Sequence, residues 1–229
     1  MESIKEVKEM EIDVRGDIIG NDDKWIYDWL EWDSTCPDDV KSALQTMPAG
    51  EKLIVNINSG GGSVMAGQEI YSLLHGRNDV EIHIQSLAGS AASVIAMANT
   101  CKMSPVATIM IHNVSMSGAS GDYHDMQKNA EILKTMNSAL AEAYVTKTGK
   151  TKDEILKMMD KETWITASQA LEMGFIDEVE ELQTQITNSI CGIRLTEEIR
   201  QQVTKEKELQ NKKEQLKKEL LNDLDKYGV

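Results

Sequence analysis

Three apolar runs rich in β-branched residues, "KLIVNIN" (52–58), "VEIHIQS" (80–86) and "ATIMIH" (107–112), are separated by stretches in which apolar residues recur at helical spacing. Antiparallel strands can be joined by tight hairpins, whereas strands joined through helices run parallel and are covered on both faces. That alternation predicts an α/β fold with a largely parallel, buried sheet. The pattern extends both ways. "EIDVRGDII" (11–19) reads as a strand, and "PDDVKSALQTM" (37–47) as a helix with Pro37 in its first turn. "VMAGQEIYSLLHG" reads as a helix closed by Gly76. A long helix is predicted from Asp122 to about Lys147, with Met126, Leu133, Met136, Leu140 and Tyr144 on one stripe. Shorter helices follow at 151–159 and 166–174, the second opened by Thr166 and ended by Gly174.

The chain of 229 residues suits one main domain, expected over 1–182, with a linker and charged helical tail over 183–229. In the tail Ile199, Val203, Leu209, Leu216, Leu220 and Leu224 form a stripe too irregular for a coiled coil. A solvated helix is the plain expectation there, and a partner-binding helix the sharper one. The net charge of −14 argues against nucleic acid and against an anionic membrane surface as partners. Cys36, Cys101 and Cys191 are odd in number and lack metal-type spacing, so they read as free thiols in a reducing compartment. With no signal-type apolar core near the N-terminus and no run long enough for a membrane span, the expected location is the cytoplasm.

Two stretches carry chemistry. In "NINSGGGSVMAG" (56–67) a buried strand enters three glycines and then a helix. The Gly-Lys-Ser/Thr of a phosphate loop is missing, so converging backbone N–H groups fit an oxyanion hole better than a phosphate. "HIQSLAGSAASVIAM" (83–97) holds Ser86, Ser90 and Ser93 among small residues, where a strand gives way to a helix. A serine there is held rigidly, beside the unpaired N–H groups of a first helical turn. Serine also needs a base. Of the four histidines, His83 falls within a strand, and His75 and His124 on helices or at their ends. His112 ends a strand and enters the loop "NVSMSGASG", at the sheet edge where α/β proteins hold ligands.

The order "INSGGGSVMAG", "GSAASVIAM", "MIHN" and "ETWITASQALEMGFID" resembles the ClpP family of serine peptidases, and among them the head maturation (prohead) proteases of phages and prophages. The resemblance spans roughly residues 11–180. It implies the ClpP/crotonase-like spiral of ββα units, with the long helix as the handle that joins rings. It implies Ser93, after Ala-Ala, as nucleophile and His112 as base. Gly62 and Val94 become the oxyanion donors, and Glu162 the acid, with Asp160 as the fallback. Gly60 stands where the family usually has proline, and Val94 where it often has methionine. No metal or organic cofactor is implied. The expected partners are polypeptide substrates, capsid or scaffold proteins among them, and copies of the chain in a ring or stacked rings. A Clp-type ATPase stays open, because the N-terminal segment does not match the loops that dock one. Two other readings share parts of this pattern: a crotonase-type acyl-CoA enzyme, and a ring or scaffold subunit that has lost hydrolysis.

Overall fold

The computed structural model describes residues 8–181 and 212–213. Eight strands form a single sheet: β1 (Glu9–Ile18), β2 (Ser34–Thr35), β3 (Lys52–Gly62), β4 (Val80–Gly89), β5 (Cys101–Met103), β6 (Thr108–Ile111), β7 (Thr163–Thr166) and β8 (Glu178–Val179). Seven α-helices lie between them: α1 (Lys24–Trp29), α2 (Pro37–Thr46), α3 (Val64–Leu74), α4 (Ala91–Ala96), α5 (Tyr123–Thr148), α6 (Lys152–Asp160) and α7 (Ala167–Met173). The expected α/β architecture with a parallel sheet is present. Every pairing is parallel except β6 with β7.

The path β2-β1-β3-β4-β5-β8 forks at β4. Ile82–Ile84 of β4 pair with β5, while Leu87–Gly89 pair with β6. The fork positions the site. It ends β4 and β6 side by side, with Gly89 opposite Met110. Strand β3 is buried almost without interruption from Leu53 to Ile57, as a central strand covered on both faces must be. The 26-residue α5 is capped by Asp122, whose carboxylate accepts from His124 and Asp125 N–H, and closes at Gly149 with φ 69°. Helix α1 and strands β2, β5, β7 and β8 are additions to the elements read from the sequence. Cys36 and Cys101 are free and buried, and burial pushes the Cys101 thiol up to about 12. Cys191 and the tail stripe at 199–224 lie outside the described residues. Among the described residues no helix is long and apolar enough to cross a membrane.

His83 does not face the site. Its ring bridges Glu81 (2.8 Å) and Glu180 (2.9 Å), and Glu81 also pairs with Lys102 at 2.9 Å. Burial would raise the Glu81 carboxyl, but Lys102 and His83 outweigh it and hold it near about 2, below the ordinary 4.5. A depressed carboxyl stabilises the fold above its unfolded pKa, and that stabilisation is lost as pH falls through the folded value. Glu81→Gln is therefore expected to lower Tm by a few degrees at pH 7. The gap from the wild type should narrow between about pH 4.5 and pH 2 in thermal melts.

Candidate active site

Strand β4 stops at Gly89, and the next residue, Ser90, takes φ 51° and ψ −121° before α4 begins. A positive φ in a residue other than glycine is uncommon, and strain of this kind gathers at functional turns. Neighbouring glycines make the turn possible. A Cβ on Gly61 would lie 2.7 Å from both the Gly89 carbonyl and Ser90 Cβ, and one on Gly89 would lie 3.0 Å from the Gly60 carbonyl. Only bare backbone lets the β3 loop pass this close under the serine. The Ser90 N–H continues the β4–β6 ladder by donating to the Met110 carbonyl (2.9 Å). Two residues further, His112 leaves β6 with its Nε2 at 2.8 Å from Ser90 Oγ. Gly62, Ser90, Ala91, His112, Asn113 and Tyr144 line one cleft.

The serine that meets His112 is therefore Ser90, and the expected pairing with Ser93 is not made. Ser93 is fully buried, one helical turn further on. Its Oγ donates to the Ser90 carbonyl (2.6 Å) and lies 2.8 Å from the Tyr144 hydroxyl. No base reaches it. The Val94 N–H also differs from expectation, since it points back to the Ser90 carbonyl (3.4 Å) inside the helix start. Ala91 and Ala92 open α4, so their N–H groups have no acceptor within the helix. Gly62 lines the cleft, with its φ at 148° and the Ile18 carbonyl where a Cβ would go.

Among the described residues neither candidate acid is hydrogen-bonded to His112. Glu162 sits at φ 49° in the exposed turn before β7, its Oε1 accepting from the Trp164 indole (3.3 Å). Asp160 ends α6, and its Oδ1 accepts from Asn113 Nδ2 (2.8 Å). Asn113 follows His112 in the chain, so Asp160 is tied to the loop that carries the imidazole. Sequence reasoning held Ser90 among three candidate serines but gave the role to Ser93, and it placed Tyr144 only on the stripe of the long helix. The strand read at 80–86 in fact runs on to Gly89, which makes Ser90 the first position after it.

Residues 40–183 match the family model described as Clp protease. Similar proteins include the ATP-dependent Clp protease proteolytic subunit 2 of Tropheryma whipplei, 32% identical over 133 residues, covering 56% of this chain and 73% of that one. Subunit 1 from Protochlamydia amoebophila is 35% identical over 142 residues, covering 59% and 68%. Subunit 1 from Chlamydia trachomatis is 33% identical over 140 residues, covering 58% and 72%.

Proposed function

Because the chain belongs to the Clp protease family, we propose that it is a serine endopeptidase with Ser90 as nucleophile and His112 as general base. The observation that carries the reading is the 2.8 Å contact between Ser90 Oγ and His112 Nε2 at a strained strand-to-helix turn. Ser90 Oγ attacks the peptide carbonyl while His112 Nε2 takes its proton. The imidazolium then gives that proton to the leaving amine as the C–N bond breaks. Water, deprotonated by the same nitrogen, releases the acyl group and restores Ser90. Negative charge on the carbonyl oxygen is met by the N–H groups of Ala91 and Gly62. The Ser63 N–H already donates to Ile18 O at 2.7 Å, which supports Gly62's own N–H facing the cleft. Asp160, the fallback of the two candidate carboxylates, is the acid this reading favours for orienting His112, supported by its hydrogen bond to the adjacent Asn113, while Glu162 is turned to the Trp164 indole.

Substrates in this reading are polypeptides. Capsid or scaffold proteins of an assembling phage head are the setting that the motif likeness to prohead proteases supports. Ring assembly through α5 belongs to the same proposal, supported by exposed Tyr123, Met126 and Ile132 along its first half.

The purified full chain is expected to hydrolyse fluorogenic peptides or unfolded casein, to be stopped by a fluorophosphonate, and to be indifferent to EDTA. Absence of both turnover and covalent adduct in the assembled protein would overturn the reading in favour of a ring subunit without hydrolysis. Saturable coenzyme A binding without proteolysis would instead favour acyl-CoA chemistry.

A further inference from the structure

Behind Ser90 lies a hydrogen-bonded chain that the catalytic steps do not use. Tyr144 comes from α5, is 2% exposed, and packs its ring against Phe175 at 6.1 Å between centroids. Its hydroxyl is 2.8 Å from Ser93 Oγ, and Ser93 Oγ is 2.6 Å from the Ser90 carbonyl. The direction of the protons is fixed. A carbonyl oxygen only accepts, so the single Ser93 hydroxyl proton goes to Ser90, and the proton between Ser93 and Tyr144 comes from the phenol. Burial pushes the Tyr144 phenol well above its ordinary value, so it stays a donor across any working pH.

The carbonyl that receives this chain belongs to the peptide joining Ser90 to Ala91. In a planar trans peptide the C=O and the N–H point in opposite directions. Whatever holds the Ser90 oxygen back toward α4 and α5 therefore aims the Ala91 N–H the other way, into the cleft that Ala91 lines. The same rotation about ψ sets the unusual −121° at Ser90. The Ser93 and Val94 N–H groups also reach this oxygen, at 3.0 and 3.4 Å, as a helix start would supply from any sequence. The side-chain donor at 2.6 Å is the shortest of the three, and it is polarised by the phenol behind it.

We propose that Ser93 and Tyr144 are positioning residues that lock the Ser90–Ala91 peptide so that the Ala91 N–H is aimed at the developing oxyanion. This rests on the reading of Ser90 as nucleophile. It also makes catalysis depend on the seating of α5, since the phenol that completes the lock is carried by that helix. An aiming defect acts on the transition state and leaves substrate binding alone.

Tyr144→Phe keeps the ring and its packing while removing only the donor, and Ser93→Ala removes the relay. Each is expected to lower kcat about tenfold or more, with KM nearly unchanged. Affinity for a peptide boronate, whose tetrahedral adduct carries the oxyanion, should fall by the same factor. The pH–rate profile should keep its shape, since the phenol does not titrate. The double variant should be no slower than Ser93→Ala, because Tyr144 acts through Ser93. Unchanged kcat and boronate affinity with only a lower Tm would overturn the proposal, as would a rise in KM alone or additive losses in the double variant. Peptide mapping of a fluorophosphonate adduct separates the two ideas. With the label on Ser90 and kcat unaffected in the variants, only the positioning role fails. A label on Ser93 in the wild type that vanishes in Ser93→Ala overturns the nucleophile assignment as well.

Discussion

Ser90→Ala is expected to reduce peptide hydrolysis by about 10⁶-fold while leaving the fold intact, because serine and imidazole act as one unit and losing either removes covalent catalysis. The substitution deletes one hydroxyl from the cleft wall and creates almost no cavity. Alanine at φ 51° is no more strained than serine there, so Tm should hold within a few degrees. His112→Ala should show a similar loss, and combining the two should cost little more than either alone. Turnover in Ser90→Ala close to the wild-type rate, with a normal melting curve, would remove Ser90 from the mechanism.

The second large effect belongs to the acid. Asp160→Asn is expected to lower kcat by about 10⁴ with little change in KM, since an unoriented imidazole presents the wrong tautomer to serine. Glu162→Gln should be nearly silent. The reasons are geometric: Asp160 is tied through Asn113 to the loop that begins at His112, while the Glu162 carboxylate is turned to the Trp164 indole on an exposed face. Asn113→Ala guards against a trivial outcome. If Asp160 only anchored the loop, Asn113→Ala would reproduce the full loss. If Asp160 orients the base, Asn113→Ala should cost far less. A large loss in Glu162→Gln with a silent Asp160→Asn would return the role to Glu162.

Elements with strong periodicity were legible in the sequence. The helix expected over 122–147 is Tyr123–Thr148, and the strand expected at 52–58 begins at Lys52, although it runs on through the glycines to Gly62. Short pieces such as β2 and β8, two residues each, carry too little pattern to register. Strand β7 was hidden because "TWIT" reads as the lead-in to the helix after it. His112 could be found from its place at a strand end. The choice among serines could not be settled by spacing alone, because "GSAAS" places Ser90 and Ser93 one helical turn apart among equally small residues. What separates them is the backbone at Ser90 and the β4–β6 register, with Gly89 opposite Met110. Ser93 proved to be a buried link to α5, a role that depends on Tyr144, 51 residues away.

The most direct measurement is the site of covalent modification: the full-length protein treated with a fluorophosphonate, digested, and mapped by tandem mass spectrometry. Both serines fall on the same short segment, so fragment ions must separate residue 90 from residue 93. The adduct is expected on Ser90, with its formation abolished in Ser90→Ala and in His112→Ala and slowed, without moving, in Ser93→Ala. An adduct mapped to Ser93 in the wild-type protein would contradict the pairing of Ser90 with His112 as the catalytic centre.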